Sequence, residues 1–202
     1  MFDSPSGIAV DNAGNVYVAD QYNNMIRKIT AAGVVSTLAG TGSYGSTDGP
    51  GTSASFNFPT GVAIDNAGNV YVADKVSNKI RKITAAGFVS TLAGTGLVGS
   101  VDGVGTSASF YYPNGVAVDN AGNVYVADQY NKKIRKVTAA GIVSTIAGTG
   151  LQGNADGAGA SASFNYPSGV ALDNAGNVYV ADQHNNKIRK ITQTEPQTYS
   201  WS

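Results

Sequence analysis

The decapeptide Asp11–Asp20, Asp-Asn-Ala-Gly-Asn-Val-Tyr-Val-Ala-Asp, returns letter for letter at Asp65–Asp74, Asp119–Asp128 and Asp173–Asp182. Pro5, Pro59, Pro113 and Pro167 keep the same 54-residue interval. One supersecondary unit is therefore written four times, and any fold for this chain must be assembled from four like pieces. The 202 residues read as a single array of units 2–55, 56–109, 110–163 and 164–202, the last ending in a divergent tail over 193–202.

Each unit spells short strands separated by turn residues. After Pro5, which cannot donate to a ladder, Gly7-Ile8-Ala9-Val10 makes a first strand with small residues at alternate positions. Asp11-Asn12-Ala13-Gly14-Asn15 supplies the Asx side chains and glycine of a tight turn, and Val16-Tyr17-Val18-Ala19 has the β-branched and aromatic content of a buried second strand. The third strand, Met25–Thr30, breaks the period of two, because Ile26 and Ile29 are three apart. A β-bulge or an exposed strand is expected there. Val34–Ala39 is the fourth strand, and a linker rich in Gly, Ser and Thr runs from Gly40 to Phe56. Such a meander cannot bury both its faces alone, whereas radial stacking of four-stranded antiparallel blades buries them and protects their edges. The expected fold is all-β, a β-propeller. Four blades closing on themselves, two chains completing an eight-bladed ring, and a stretch of a longer array all stay open. In the last unit Thr198–Trp201 falls in the register of the fourth strand, where a substitute strand and a frayed end are the two readings.

The pattern from Pro59 to Lys82, Pro-x-Gly-Val-Ala-Ile-Asp-x-x-Gly-Asn-Val-Tyr-Val-Ala-Asp-x-x-Asn-x-x-Ile-Arg-Lys, with its three equivalents, resembles the NHL repeat. The Ser36–Gly42 and Ser90–Gly96 segments are similar to the longer variant of bacterial repeat proteins and teneurin propellers. The resemblance implies a propeller, commonly of six blades, that binds proteins or RNA, with one branch a metal-dependent peptide-amidating lyase. Four copies depart from that usual number.

The 13 basic and 13 acidic side chains cancel, so the field that draws proteins to nucleic acid or anionic membranes is absent, and RNA is disfavoured as a partner. There is no Cys and a single His, which leaves no disulfide framework and denies the channel histidines that the lyase branch uses. No cofactor and no metal site is expected. No apolar run approaches the length of a membrane span, and Met1–Ser4 lacks a signal-peptide pattern. Low charge and abundant Gly, Ser, Thr, Asn and Tyr lean towards an exported bacterial protein.

Alternating loops sort the differences between copies by face. At one end lie the turns headed by Asp11, Asp65, Asp119 and Asp173, with Gly14 in the first, alike in every copy. At the other the second-to-third loops differ: Gln21-Tyr22, Lys75-Val76, Gln129-Tyr130 and Gln183-His184. These eight residues are the candidate ligand collar round the channel mouth, since aromatics with a polar tip suit recognition surfaces. Drift at tolerant loop tips is the alternative. His184 stands where Tyr22 and Tyr130 stand, which argues against a dedicated catalytic role. Arg27, Arg81, Arg135 and Arg189 are expected to hold Asp20, Asp74, Asp128 and Asp182, and the linker acids Asp48, Asp102 and Asp156 to cap helical turns. The reading is a non-enzymatic scaffold for a protein or a small polar ligand. A lyase or lactonase-like enzyme and a module that self-associates into rings are the alternatives.

Overall fold

A computed structural model describes residues 1–192; the strand expected at Thr198–Trp201 lies outside the described residues. Blade one comprises β1 (Pro5–Val10), β2 (Val16–Asp20), β3 (Met25–Ile29) and β4 (Val35–Ala39), paired antiparallel in chain order. The chain then makes β5 (Gly49–Pro50), β6 (Pro59–Ile64), β7 (Val70–Asp74), β8 (Lys79–Ile83) and β9 (Phe88–Ala93). Here β5, a piece of the linker, pairs with β9, so blade two has a fifth strand that the Gly- and Ser-rich sequence did not announce. Blade three repeats this with β10 (Gly103–Val104), β11 (Pro113–Val118), β12 (Val124–Asp128), β13 (Lys133–Val137) and β14 (Ile142–Ala147). Blade four contributes β15 (Pro167–Leu172), β16 (Val178–Asp182) and β17 (Lys187–Ile191) among the described residues.

The core lies between blades, not within them. Ile26 of blade one packs with Phe56, Val62, Val70 and Val72, and Ile83 joins the same cluster from blade two. Ile80, one turn of the pleat earlier, belongs instead to the cluster shared with blade three. Side chains an odd number of residues apart leave a strand on opposite faces, and a blade sandwiched between neighbours buries both. The spacing of three thus places Ile26 and Ile29 on opposite faces, and in the inner blades the equivalent Ile80 and Ile83 are both fully buried. The expected bulge is present as well: the register shifts between Ile26 and Arg27, and the extra residue is Leu38 on β4. Phe56, Phe110 and Phe164, fully buried between blades, each contribute about 1.5–3 kcal/mol of burial.

Each turn between the first two strands is held by its own aspartate. Asp11 Oδ1 accepts the amides of Ala13 and Asn15, and its Oδ2 accepts the Asn15 side-chain amide and the Tyr17 hydroxyl at 2.8 and 3.1 Å. The identity of the decapeptide follows, because turn and buried tyrosine form one hydrogen-bonded unit. Burial and Asp119 push the equivalent Tyr125 hydroxyl up to about 12.

The inner strands β1, β6, β11 and β15 lie side by side through their glycines. A Cβ on Gly7 would meet Gly61 and Val62, one on Gly61 would meet Gly115 and Val116, and one on Gly115 would meet Gly169 and Val170. At Gly169 the only neighbour among the described residues is Ala181 of the same blade. Among the described residues the four blades thus form an open arc.

Candidate binding face

The constant decapeptide ends on a carboxylate that builds the opposite face. Asp128 Oδ1 accepts the Tyr111 amide at 2.9 Å, and Oδ2 accepts the Asn131 side-chain amide at 2.8 Å and the Arg135 guanidinium at 2.7 Å. The Tyr130 amide donates to the Tyr111 carbonyl at 3.1 Å. One buried aspartate therefore fixes the loop tip to the segment that precedes the inner-strand proline. Asp20, Asp74 and Asp182 do the same for Asp3, Asn57 and Asn165. Their arginine contacts are Asp20–Arg27 at 3.1 Å, Asp74–Arg81 at 2.9 Å and Asp182–Arg189 at 3.0 Å.

The linker acids do not cap helical turns. The single 3₁₀ turns at Gly51–Ser53, Gly105–Ser107 and Gly159–Ser161 have Pro50, Val104 and Ala158 at the cap and no side-chain cap bond. Asp48 instead meets Arg81 at 2.6 Å and accepts the Thr91 amide and hydroxyl, each at 3.0 Å. Asp102 does this for Arg135 and Thr145, and Asp156 meets Arg189 at 2.6 Å. An arginine in the middle of a blade offers more donors than one carboxylate takes, and a charge on a linker is better spent on it than on a half-formed helix.

These contacts set a pH profile. Desolvation pushes Asp48 and Asp102 up, but the threonine amides and the arginines outweigh it and hold both carboxyls below their ordinary 3.8. Asp11 and Asp173 are held low chiefly by the Asn15 and Asn177 side-chain amides. The stability these groups give is present above 3.8 and lost as the pH falls through their folded values. Asp74 acts in the opposite sense: burial pushes it up to about 6, so its share is present below 3.8 and lost as the pH rises through about 6. Melting temperature should peak at about pH 4 to 5 and drop on further acidification. The double substitution Asp48→Asn, Asp102→Asn should flatten the acid limb in a series of thermal melts.

Above this frame runs an aromatic track. Tyr111 and Tyr112 each lie 5.0 Å from Tyr130, which meets Tyr166 edge-on at 5.0 Å, and Tyr166 meets His184 at 4.7 Å. The Lys132 ammonium sits 5.5 Å over Tyr166. Tyr22 pairs separately with Phe58 at 5.3 Å. Of the eight collar residues, Tyr22, Val76, Tyr130, Gln183 and His184 are exposed, and Gln21 and Lys75 are half-buried. Burial lowers the Lys75 ammonium's pKa. Gln129 is buried beneath the track, its Oε1 accepting the Asn114 side-chain amide at 3.1 Å.

Sequence reasoning missed Phe58, Tyr112 and Tyr166, the residues before the inner-strand prolines. All three adopt left-handed backbone, at φ 53°, 51° and 51°, where bulky residues rarely sit. The conformation costs on the order of 1–3 kcal/mol. The amides of Phe58 and Tyr112 donate to the side-chain carbonyls of Asn24 and Asn78 on the preceding blade at 3.0 and 2.9 Å, which offsets part of it. A signal was present: the residue before each of the four inner-strand prolines reads Ser4, Phe58, Tyr112 and Tyr166.

With fold and face described, comparison with known proteins places the chain. The NHL repeat is matched at residues 2–29, 56–83, 110–137 and 164–191, the inner three strands of every blade. The chain belongs to the NHL-repeat family. The NHL segments are similar to Protein SUPPRESSOR OF QUENCHING 1, chloroplastic, of Arabidopsis thaliana, 34% identical over 68% of this chain and 14% of that protein. Teneurin-4 of Homo sapiens is 30% identical over 96% of this chain and 8% of its own length. The chain thus spans a small part of these relatives. A Bacteroides thetaiotaomicron protein solved by structural genomics, of unknown function, superposes with a TM-score of 0.76 at 26% identity, over 92% of this NHL chain and 46% of that one. Among the described residues no group of three or more His, Cys, Asp or Glu is placed to hold a metal ion, and no helix is long and apolar enough to cross a membrane.

Proposed function

We propose that this NHL propeller is a binding scaffold whose partner, a segment of another protein or a small polar ligand, seats on the face that carries Tyr22, Lys75, Val76, Tyr130, Gln183 and His184. The observation that carries the reading is the continuous track from Tyr111 and Tyr112 through Tyr130 and Tyr166 to His184. Rings in edge-on and tilted contact present flat apolar surface with polar rims at little cost in side-chain entropy, the makeup of recognition hot spots. The left-handed backbone under Phe58, Tyr112 and Tyr166 supports it further, because strain is retained where something over-determines it. The opposite face offers a ligand the same turn four times over.

The test is a binding screen against peptide and glycan arrays with the wild-type chain and the double variant Tyr130→Ala, Tyr166→Ala. Loss of two central rings should weaken every specific hit by about tenfold or more, equivalent to at least 1.4 kcal/mol. Hits that the double variant retains at full strength would remove the collar as the site.

A further inference from the structure

The two ends of the arc carry the two halves of the joint that already occurs three times inside it. On the side of each blade that faces its predecessor lie Val62, Ile64 and Val89 in blade two and Val116, Val118 and Val143 in blade three, all packed in the clusters between blades. Blade one presents the equivalent side to solvent, with Ile8 65% and Val10 58% exposed, and Val35 exposed beside them. On the side that faces the successor, Ile26, Ile80 and Ile134 are fully buried, whereas their equivalent in blade four, Ile188, is 75% exposed. Gly169 likewise ends a series in which Gly7, Gly61 and Gly115 each abut the next inner strand. Phe2 stands in the place of Phe56, with the Arg27 guanidinium 5.3 Å over its ring as Arg81 lies 5.2 Å over Phe56.

We infer that blade one of this chain seats on blade four of a second copy, head to tail, reproducing the internal joint. The occupant follows from the repeat itself. The surface complementary to Ile8, Val10 and Val35 is known from blades one to three, where Tyr17, Ala19 and Ile26 of blade one form its inner part, and Tyr179, Ala181 and Ile188 hold those places at the far end of the chain. A head-to-tail contact of this kind closes into a ring when the rotations add to a full turn and otherwise continues. The joint differs from the internal ones in two respects: the divergent sequence 193–202 stands in place of the repeat's fourth strand, and among the described residues Arg27 has the Asp20 carboxylate but no linker acid as second partner.

Light scattering on the eluting 202-residue chain over a dilution series tests this. A mass that is a multiple of one chain, falling towards one chain on dilution, is the expected result. The decisive variant is Gly169→Ala. Among the described residues of its own chain the new methyl meets only the Ala181 Cβ at 3.6 Å, an ordinary contact, so the far-ultraviolet spectrum and the melt of the dilute protein should be unchanged. At the joint it would strike the Ser6–Ile8 backbone of the second copy as a methyl on Gly61 would strike Asn114–Val116. Self-association should weaken by about tenfold or more. Ile188→Asp should weaken it at least as much through the apolar side of the same joint. One-chain mass at every concentration, or association that neither variant moves, would overturn the inference.

Discussion

Arg135→Met should lower the unfolding free energy by about 3–5 kcal/mol, read as a shift of the urea midpoint at unchanged slope. The guanidinium is fully buried. It donates to Asp128, Asp102 and the carbonyls of Ser109 and Val101, and lies 5.2 Å over the Phe110 ring. Methionine fills much of the volume but leaves Asp128 with no counter-charge in a site from which water is excluded. Removing one partner of such a pair costs far more than the pair's net worth. Asp156→Asn is the control. Its carboxylate also meets an arginine at 2.6 Å, but the side chain is 88% exposed, so solvent screens the pair and the loss should stay within about 1 kcal/mol. Equal losses from the two substitutions would mean that burial is not what makes the Asp128 cluster matter.

Gly61→Ala should destabilise the chain by about 1–3 kcal/mol or more. A Cβ there would run into the Asn114 carbonyl and stand 2.8 Å from the Val116 amide nitrogen and 3.0 Å from the Gly115 Cα. All three are backbone atoms of a neighbouring inner strand, so no rotamer change relieves the contact; the blades themselves must part. Gly169→Ala in dilute solution should fall within about 0.5 kcal/mol of wild type. Thermal melts of the two variants at low concentration give the comparison, and a Gly61→Ala protein as stable as wild type would show that the inner strands slide freely.

The repeat made the blade readable because every copy obeys the same packing, and the Asp–Arg pairing could be anticipated because both residues stand in one unit, seven positions apart. What escaped the sequence shares one property: it crosses units or faces. The spacing of Ile26 and Ile29 announced the bulge but not the second buried face, because alternation presumes one such face and an inner blade has two. Asp48 acts on an arginine 33 residues on, in the next blade, so nothing in its own surroundings reveals the partner. The aromatic track is assembled from a loop tip of one blade and the pre-proline residue of the next, as Tyr130 with Tyr166, and the sequence does not show that the two variable positions meet. The variable loops drew attention to one end of the molecule; the pre-proline rings beside them come to light only when one blade is packed on the next.

The path of the linker acid also sets how the array can change length. Each buried arginine takes one carboxylate from its own unit and a second from the linker before it, so sequence repeat and charge cluster are offset by part of a period. Excising residues 56–109 would bring Asp48 against Arg135 and Thr145 in the register that Asp102 now holds, leaving no guanidinium orphaned. A cut of half a period would strand one charge on either side. Growth and shrinkage by whole units is thus cheap and any other change is costly, which accounts for an array so faithful in spacing even where its loops have diverged.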